Sequence, residues 1–507
     1  MTEMTVIGAS GATLPEAFTG RHLINGEWQD SEGGATFERL SPAHGVVVSR
    51  SAKGGEVEVL AAIAAARKTF DEGSWRMSSG KDRAAILNRV ADLIDRERER
   101  IAVIEVLESG KPIAQARAEI EGAADLWRYA AALARTVHGE SHNSLGPDML
   151  GVVLKEPIGV ASIITPWNFP FLIVSQKLPF ALAAGCTAVV KPSEMTPSTT
   201  VILGELLIEA GLPAGVVNII LGYGDPVGAI MSSDPRVDMV SFTGSTGVGK
   251  RIVEAAAGTL KKVSLELGGK NPQVIFPDAD LDAAADAIAF GVYFNAGECC
   301  NSGSRIIVHK DVADELLAKV TALSAKVPFG DPLDERTQVG AIISDAHRQK
   351  IDGYVREAEK AGAKVLIGGS DLAVPGMGGQ FYGPTVIAGV TPDMAIAREE
   401  VFGPVLSVLT FTDADEAITL ANNAAYGLSA GVWSTDIHTC LNFARKVQAG
   451  TVWTNTWMDG FAEMPFGGVK ESGQGRELGR YGLEEYLEVK TVQLRVAPGR
   501  ANWVRDS

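Results

Sequence analysis

The sequence predicts an α/β protein made of two doubly wound units, each built on a parallel sheet. From residue 150 onward, short runs rich in β-branched residues alternate with segments of helical periodicity, which is the pattern of parallel strands joined by helices. The alternation occurs twice: strands near 160–164 and 187–190 belong to the first unit, and strands near 274–276 and 306–308 to the second. Glycine is abundant, at 56 of 507 residues, which suits many tight strand–helix turns.

The hydrophobic periodicities predict the elements in chain order. Residues 1–19 are expected to be a loose leader, followed by strands at 22–28 and 37–48 and helices at 57–70, 83–106 and 113–137. The first unit continues with strands at 160–164, 187–190, 216–221, 237–242 and 263–267 and helices at 198–210 and 246–257. The second unit is expected to have strands at 274–276, 306–308, 364–366, 405–411, 429–434 and 450–455 and helices at 280–293, 311–325, 345–361, 413–422 and 437–446. A last strand at 487–496 lies outside both units and is expected to pair with another region or another subunit.

The composition argues against several classes of function. The net charge is −16, from 62 acidic and 46 basic residues, whereas a general nucleic-acid binder needs a basic surface. The longest apolar run, 178–190, is shorter than the roughly 20 residues of a membrane helix, and residues 1–20 lack the apolar core of a signal peptide. Four cysteines in 507 residues do not form a disulfide framework. We therefore expect a cytoplasmic protein with no nucleic-acid or membrane partner.

The loop from Asn295 to Arg305 carries two adjacent cysteines, Cys299 and Cys300, between Gly297 and Gly303. A thiol in such a loop can be a nucleophile, a metal ligand, half of a disulfide or a packing group. The small number of cysteines argues against a disulfide, and no His/Cys cluster has the spacing of a zinc site, so we expect no metal. A nucleophilic role and a packing role both stay open, as does the choice between the two thiols.

Two turns at strand ends have the character of cofactor-binding segments. Gly244, Gly247 and Gly249 follow a strand and open a helix, so backbone N–H groups there suit a phosphate, although close packing explains such glycines equally well. Lys191 and Glu194 end another strand, where a carboxylate accepting from both ribose hydroxyls would disfavour a 2′-phosphate. The alternative is that these two charges cap the next helix.

Two further residues have the character of catalytic groups. Asn168 lies between two prolines, which hold its amide in one orientation, as an oxyanion hole requires; an ordinary turn asparagine is the alternative. Glu266 ends an apolar strand just before two glycines. Because burial raises the pKa of a carboxyl, it can serve as a general base. A buried structural ion pair is the competing interpretation.

Together these motifs resemble one family over residues 20–495, the NAD(P)-dependent aldehyde dehydrogenases. The motifs that carry the resemblance occur in the family's order, and besides the cysteine loop they are Pro-Trp-Asn-Phe-Pro at 166–170, Lys-Pro-Ser-Glu at 191–194, Phe-Thr-Gly-Ser-Thr at 242–246, Glu-Leu-Gly-Gly-Lys at 266–270, Glu-Glu-Val-Phe-Gly-Pro at 399–404 and Pro-Phe-Gly-Gly-Val-Lys-Glu-Ser-Gly at 465–473. The resemblance implies two Rossmann-like doubly wound α/β domains plus a β oligomerisation arm, in a homodimer or homotetramer.

The same resemblance implies the domain boundaries. The NAD-binding domain is expected to comprise 20–139 and 158–266, and the catalytic domain, which carries the nucleophilic cysteine, 267–478. Residues 140–157 and 479–507 are expected to form the oligomerisation arm and the C-terminal tail.

The resemblance also implies a covalent mechanism that oxidises an aldehyde to the carboxylic acid. Cys300 stands at the family's nucleophile position, and its neighbour Cys299 is expected to pack. The Asn168 amide and the Cys300 backbone N–H would hold the oxyanion of the tetrahedral intermediate. Glu266 would deprotonate the water that hydrolyses the thioester.

Lys177 and Glu477 stand where the family has a proton-relay pair; a structural salt bridge is the alternative. A second alternative concerns the acceptor, because a CoA-acylating member would release the thioester to CoA, but that branch needs no water-activating base and Glu266 argues against it. A non-catalytic NAD-binding relative is the third alternative, against which the set Cys300, Glu266 and Asn168 argues.

For the cofactor, the resemblance implies NAD, with NADP possible. Glu194 makes NAD the better expectation. Glu400 and Phe402 match the contacts to the nicotinamide ribose. The residues expected near the rest of the dinucleotide are Ile164, Trp167, Lys191, Glu194, Gly224, Gly244, Ser245 and Gly249.

The substrate tunnel is expected at Phe169, Gln176, Phe294, Trp457 and Phe466. Trp457 together with the segment 462–465 resembles the amino- and betaine-aldehyde branch, since an aromatic face suits a cation. Against this, Gln176 occupies a position where that branch usually has tryptophan.

The chain departs from the family pattern at two positions. Glu298 replaces the usual glutamine; an ionised carboxyl there would raise the pKa of Cys300, so we expect it to be neutral or to point away. Gly247 replaces a residue that is acidic in many members, which should make the pyrophosphate turn more permissive.

Overall fold

The computed structural model of the chain describes residues 4–498, and the predicted α/β fold is confirmed in them. The α-helices are α1 Glu56–Glu72, α2 Gly80–Ser109, α3 Ile113–Ala134, α4 Pro170–Ala184, α5 Ser198–Glu209, α6 Ala229–Ser233, α7 Thr246–Ala256, α8 Leu281–Tyr293, α9 Ala313–Lys326, α10 Asp345–Lys360, α11 Ala395–Arg398, α12 Ala414–Asn422, α13 Ile437–Lys446 and α14 Gly479–Glu484. The strands are β1 Val6–Ile7, β2 Phe18–Gly20, β3 His22–Ile24, β4 Glu27–Gln29, β5 Thr36–Leu40, β6 Val47–Ala52, β7 Glu140–His142, β8 Met149–Pro157, β9 Val160–Ile164, β10 Thr187–Lys191, β11 Val217–Ile219, β12 Met239–Thr243, β13 Lys262–Glu266, β14 Pro272–Ile275, β15 Arg305–His309, β16 Phe329–Gly330, β17 Lys364–Ile367, β18 Thr385–Ala388, β19 Val405–Phe411, β20 Tyr426–Gly427, β21 Ser429–Trp433, β22 Thr451–Thr454, β23 Val469–Lys470, β24 Gly473–Gln474 and β25 Leu487–Arg495.

The first large sheet has eight strands in the order β24-β13-β12-β9-β10-β11-β3-β4. Strands β13 to β11 of this order are parallel, while β24 and β3 pair antiparallel at either side of them. Helices cover both faces, because successive side chains of a strand point to opposite sides: Ala161 and Ile163 join one core cluster and Val160 another. After β9 the chain adds β10 and β11 on one side of β9 and then crosses over to add β12 on its other side. The strand order therefore reverses between β9 and β12, and a crevice is expected at the carboxyl ends of these two strands.

The second large sheet has seven strands in the order β17-β18-β19-β15-β14-β21-β22. All of its neighbouring pairs are parallel except β17 with β18. Its buried core includes Val274, Ile307 and Val408 from three adjacent strands. Both predicted α/β units are therefore present, each on its own sheet.

The segments predicted as an arm form a third sheet of three antiparallel strands, in the order β25-β8-β7. Strand β25 pairs with β8 along its whole length, from Leu487 opposite Pro157 to Arg495 opposite Met149. Its other edge has no partner strand within the described chain. No helix among residues 4–498 is both long enough and apolar enough to cross a membrane.

The described part of the leader is not loose, contrary to the prediction. Val6–Ile7 pair in parallel with Phe329–Gly330, and the Ser10 hydroxyl and backbone N–H both donate to the Asp331 carboxylate. A two-residue strand carries no periodic signal, so only its distant partner reveals it. Residues 1–3 of the leader and 499–507 of the C-terminal tail lie outside the described residues.

Two other features differ from the sequence prediction. Helix α4, Pro170–Ala184, was missed because its residues are apolar almost throughout and nearly all of them are buried, so no amphipathic period marks it. Residues 473–474 fall in the range 267–478 expected for the catalytic domain, and no strand is predicted there, but as strand β24 they pair with β13 of the first sheet. The chain therefore returns from the second unit to the edge of the first.

Candidate active site

A tight reversal between α8 and β15 shapes the loop that carries the adjacent cysteines, here called the thiol loop (295–304). Asn295, Ala296 and Gly297 have left-handed φ angles of 52°, 55° and 73°, a conformation that residues other than glycine rarely adopt. Glycine is required at 297, because a Cβ there would lie 2.1 Å from the carbonyl oxygen of Gly403. The reversal brings the thiol loop against Asn168 of the first unit.

Asn168 and Asn295 meet at one backbone carbonyl, that of Glu298. The Nδ2 of Asn168 donates to this oxygen at 3.0 Å, and so does the Nδ2 of Asn295, also at 3.0 Å. The Asn295 amide donates in addition to the Asn168 carbonyl oxygen at 3.1 Å. All three residues are buried. The amide predicted for the oxyanion hole is therefore fixed to the thiol loop and is not an ordinary exposed turn asparagine.

The two thiols of the loop have different surroundings. Cys299 is buried and packs against Phe169 and Ile173, as predicted, whereas Cys300 is half-buried. The neighbouring Cys299 thiol and burial raise the pKa of Cys300 well above its usual value, and Glu400 adds to this shift. The resting Cys300 thiol is therefore protonated at neutral pH, and a base must remove its proton before it can attack.

Glu266 ends β13 and has a buried carboxyl group. Neither carboxyl oxygen has a hydrogen-bond partner among the described residues, and a Cβ on Gly467 would lie 2.5 Å from one of them. Burial raises the pKa of Glu266 well above its usual value, and Glu477 raises it further, while Lys177 lowers it. A buried carboxyl without partners suits a general base better than a structural ion pair.

Lys177 on α4 and Glu477 form a buried ion pair, with 2.5 Å between Nζ and Oε1. The Lys177 ammonium also donates to the Ser241 hydroxyl at 3.0 Å. Both charges of the pair act on the pKa of Glu266, so the pair lies within electrostatic reach of the predicted base. This arrangement is compatible with a proton path and equally with a structural anchor.

Three predicted cofactor residues lie at the carboxyl ends of adjacent strands in the first sheet. Ile164 ends β9, Lys191 ends β10 and Gly244 follows β12. The crevice lies at the ends of β9 and β12, and β10 is the next strand beside β9. This edge is where α/β sheets bind dinucleotides. The structure therefore brings these residues to one edge of the sheet.

Lys191 and Glu194 lie together at this edge. The Lys191 Nζ is buried and stands 3.5 Å from the Glu194 carboxylate, and burial lowers the pKa of Lys191. They do not cap the next helix, α5, because the N–H and the hydroxyl of Ser198 at its start donate to Glu108. The Lys191 ammonium also donates to the Pro192 carbonyl oxygen at 2.9 Å, so the pair is held in place at the edge of the crevice.

The glycine-rich turn after β12 contains both packing positions and open positions. A Cβ on Gly249 would lie 2.7 Å from the Leu267 side chain, so packing explains that glycine. A Cβ on Gly247, or on Gly224 of a neighbouring turn, would meet nothing within 4 Å. Ser245, at the N-cap of α7, makes no capping hydrogen bond with its side chain within the described chain. A helix N-terminus with an uncommitted hydroxyl and open space in front of it fits a pyrophosphate.

The segment predicted to contact the nicotinamide ribose is held by both units. Phe402, with a left-handed φ of 60°, meets Trp167 of the first unit edge-on, with 5.4 Å between ring centroids. The Nε2 of His347, which sequence reasoning missed, donates to the Phe402 carbonyl oxygen at 2.7 Å. Glu400 accepts from the Gly269 N–H at 3.0 Å, and burial raises its pKa to about 7.

An apolar cluster adjoins the thiol loop where the substrate tunnel was predicted. The rings of Phe169 and Phe294 lie nearly parallel, at 21°, with centroids 6.0 Å apart. The other members, of which only the cysteine was singled out in the sequence, are Leu172, Ile173, Cys299 and Met458. Leucine, isoleucine and methionine are common in every core, so their type gives no signal for a tunnel.

Trp457 lies outside the apolar cluster. Its indole is buried under the second sheet, where a Cβ on Gly291, Gly303 or Gly431 would lie between 2.5 and 3.0 Å from it. The residue that follows it, Met458, has a left-handed φ of 63°, and the Met458 side chain packs against the cluster. The place of Trp457 in the substrate tunnel stays a prediction.

The remaining predicted tunnel residues lie outside the apolar cluster. Gln176 is half-buried on α4. Phe466 packs against the core of the first unit, because its backbone exchanges two hydrogen bonds with Glu477, of 2.8 and 2.7 Å.

Glu298 points away from Cys300, which is one of the two outcomes expected for this unusual residue. Its carboxylate oxygen Oε1 accepts from the Ile343 N–H at 2.9 Å, and the residue is 3% exposed. Burial raises the pKa of Glu298 well above its usual value, while Arg39 and Lys111 oppose this shift.

Known proteins resemble the chain along most of its length. The family described as "Aldehyde dehydrogenase family" matches residues 28–492. Betaine aldehyde dehydrogenase from Bacillus subtilis (strain 168) is 43% identical over 482 residues, which cover 95% of this chain and 98% of the relative. Aldehyde dehydrogenase 1A1 from Gallus gallus is 44% identical over 477 residues, covering 94% and 93%.

Solved structures agree with this assignment. An NAD-dependent aldehyde dehydrogenase from Sinorhizobium meliloti superposes with a TM-score of 0.96 at 51% identity, covering 98% of this chain and 99% of that one. Betaine aldehyde dehydrogenase from Staphylococcus aureus, solved in complex with NAD+, superposes with a TM-score of 0.94 at 40% identity, covering 96% and 97%. The motifs, the fold and these similarities lead to one conclusion: the chain belongs to the aldehyde dehydrogenase family.

Proposed function

We propose that the protein oxidises an uncharged, apolar aldehyde to the carboxylic acid with NAD, through a covalent intermediate on Cys300. Membership of the aldehyde dehydrogenase family gives the reaction class. The observation that carries the mechanism is the buried carboxyl of Glu266, which has no hydrogen-bond partner among the described residues and whose pKa responds to the charge of Cys300. A nucleophile and a water-activating base thus face one site.

In the first half of the reaction the Cys300 thiol gives its proton to water, and the resulting thiolate attacks the aldehyde carbonyl carbon. The carbonyl oxygen becomes an oxyanion, which the Asn168 amide and the Cys300 backbone N–H are proposed to hold. The fixed position of the Asn168 amide supports this role. When the tetrahedral intermediate collapses, hydride leaves its carbon and the acyl group remains on the sulfur as a thioester.

The crevice of the first sheet fits a dinucleotide. Lys191 and Glu194 at the end of β10 suit the adenosine ribose, and Ser245 at the start of α7 suits the pyrophosphate. Glu400 and Phe402 are proposed to hold the nicotinamide ribose. When bound, NAD supplies the hydride acceptor. An ionised Glu194 disfavours NADP, because the 2′-phosphate would place a second negative charge beside it.

In the second half of the reaction Glu266 takes a proton from water, and the resulting hydroxide attacks the thioester. The acid leaves and the Cys300 sulfur is released as a thiolate. Lys177 and Glu477 are proposed to carry the proton away, since their ion pair lies within electrostatic reach of Glu266. A buried base of this kind is not needed for transfer to CoA, which disfavours the acylating alternative.

The substrate class follows from the apolar cluster. Its six members, led by Phe169 and Phe294, are uncharged. An apolar chain or ring therefore gains from burial there. An amino- or betaine-type aldehyde remains the second candidate, favoured by the 43% identity to the Bacillus subtilis betaine aldehyde dehydrogenase.

We further propose that β25 joins two copies of the chain in a homodimer or a dimer of dimers. Its outer edge is unpaired within the described chain, and Val489 and Leu494 on it are 66% and 43% exposed. A nine-residue strand with an open edge and exposed apolar side chains is a ready partner for a second strand.

A reducing, cytoplasmic location is also proposed, because all four cysteines are free thiols.

The first prediction concerns the reaction itself. Purified protein with NAD and an aldehyde should form NADH without CoA, and more slowly with NADP. Benzaldehyde and hexanal should exceed betaine aldehyde in kcat/KM by about tenfold or more, which is a modest difference for an apolar pocket. The measurement is NADH absorbance over this panel. A requirement for CoA would indicate the acylating alternative, and NAD binding without turnover of any aldehyde would indicate a non-catalytic relative.

The second prediction separates the two adjacent thiols. Cys300→Ala should lower kcat by about 10,000-fold or more, since no other group can form the thioester. Cys299→Ala should keep kcat within about tenfold of the wild type, because its thiol only packs against Phe169 and Ile173. Mass spectrometry after incubation with substrate should show an acyl adduct only when Cys300 is present. Equal losses in the two variants would remove the nucleophile assignment.

The third prediction concerns the base. Glu266→Gln should still release a stoichiometric burst of NADH but should lower the steady-state rate by about 100- to 10,000-fold, because water is no longer deprotonated. In the wild type the hydrolysis rate should fall as the pH drops through the raised pKa of Glu266, since only the ionised carboxylate accepts a proton. Rapid-quench measurements from pH 5 to 9 test both statements. A variant with an unchanged steady-state rate, or one without a burst, contradicts them.

The fourth prediction concerns assembly. The double variant Val489→Lys/Leu494→Lys should shift the protein toward the monomer, because it replaces an exposed apolar side chain with a charge on each of the two faces of β25. Gln493→Lys on the same strand is the matched control and should leave the assembly intact. Light scattering after size-exclusion chromatography measures both masses. A monomeric wild type, or an unchanged mass in the double variant, would argue against the arm as an interface.

A further inference from the structure

The Glu298 carboxyl takes part in none of the proposed steps, although it is buried two residues before the nucleophile. We propose that Glu298 is the positioning residue of the oxyanion hole: its side chain ties the thiol loop to Ile343, and this tie holds the Glu298 carbonyl where it orients the Asn168 amide. The inference rests on the proposed roles of Asn168 and Cys300.

The first step of the argument is the anchor. Oε1 of Glu298 accepts from the Ile343 N–H at 2.9 Å. The segment around Ile343 is itself fixed, because Arg39 donates to the Ile343 carbonyl oxygen at 2.9 Å and the neighbouring Ile342 N–H donates to Gln380 at 2.7 Å. A buried backbone N–H that lost its acceptor would destabilise this segment. The Glu298 side chain is therefore attached to a rigid part of the second unit.

The second step concerns the amide of Asn168. A carbonyl oxygen can only accept, so the Glu298 carbonyl selects Nδ2 of Asn168 as the end that faces it, at 3.0 Å. An amide nitrogen carries two hydrogens, and this contact uses one of them. The second N–H then has a fixed direction and is left for the substrate oxygen. Asn295 donates to the same carbonyl, which fixes the oxygen from another side.

The third step explains the residue type. The bond to Ile343 needs an acceptor of the length of a glutamate side chain, and a glutamine amide oxygen offers the same acceptor at the same reach. The hydrogen bond to Ile343 therefore needs no negative charge, although Arg39 and Lys111 act on the carboxyl. This agrees with the direction of the carboxyl, which turns toward Ile343 and away from the thiol.

The test compares three side chains of similar length at residue 298. Glu298→Gln keeps the acceptor, whereas Glu298→Met fills the space and removes it. We expect Glu298→Met to lower kcat about 10- to 100-fold, less than the roughly 100- to 1000-fold loss from a missing oxyanion donor, with an unchanged KM for NAD. Glu298→Gln should recover kcat to within about threefold of the wild type with an unchanged pH profile, as expected for an exchange that preserves the acceptor.

A double-mutant cycle distinguishes positioning from a general structural effect. If Glu298 acts through Asn168, the variant Asn168→Ala/Glu298→Met should be no slower than Asn168→Ala alone. Alkylation of Cys300 by iodoacetamide, which forms no oxyanion, should keep its wild-type rate in Glu298→Met. Asp331→Ala is the matched control, since that buried carboxyl also accepts backbone N–H bonds, from Ser10 and Leu333; it should lower the unfolding temperature and leave kcat near the wild-type value.

Several outcomes would overturn the inference. They are a wild-type kcat in Glu298→Met, a Glu298→Gln variant as slow as Glu298→Met, and additive losses in the double variant. If Glu298→Met does not fold, the Glu298→Gln result alone still decides, because a large loss there contradicts a role as acceptor. A wild-type rate in Asn168→Ala would instead remove the proposed oxyanion hole, and the positioning role with it. The two failures are thus told apart by the Asn168 single variant.

Discussion

The candidate site depends on one backbone constraint: Asn295, Ala296 and Gly297 lie in succession in the left-handed region. Such a conformation costs about 1–3 kcal/mol for each residue other than glycine, so the surroundings must hold it. Gln115 accepts from the Asn295 N–H at 3.2 Å, and the Asn295 side chain donates to the Asn168 carbonyl oxygen of the other unit. The same side chain that stabilises the reversal thus joins the two units. Without the reversal, the thiol and the amide would lie on separate domains with no fixed relation.

The site also concentrates buried carboxyl groups, and their partners separate their roles. Burial raises the pKa of Glu266, Glu298 and Glu400 alike. Glu298 and Glu400 each accept a backbone N–H, whereas Glu266 has no partner among the described residues. An unpartnered buried polar group costs about 1–3 kcal/mol, and such groups gather where function requires them. The two carboxyls with partners anchor loops, while the one without is free to exchange a proton.

Most of the fold could be predicted from the sequence, because exposed helices and short β-branched strands carry local periodic signals. The helix predicted at 345–361 is found at 345–360. The prediction failed where local periodicity is absent: the helix Pro170–Ala184 is apolar almost throughout and has no amphipathic period. Motif resemblance indicated which residues meet at the site, but the partner of Glu298 lies 45 residues away and no local pattern marks it.

The coupling between Glu266 and Cys300 gives the two halves of the proposed reaction an order. A negative charge on Cys300 raises the pKa of Glu266, so the two groups titrate as a pair and their joint ionisation is disfavoured. While Cys300 is a thiolate, Glu266 therefore tends to be neutral and does not oppose the attacking charge. Once the thioester has formed, the sulfur carries no charge and this effect on Glu266 ends. One of the effects that raise the pKa of Glu266 is then removed, while burial and Glu477 still act on it, so more of the carboxylate that activates water is present at the step that uses it. The buried ion pair of Lys177 and Glu477 acts on the pKa of Glu266 through both of its charges, so the ionisation of the base depends on this pair as well as on the sulfur.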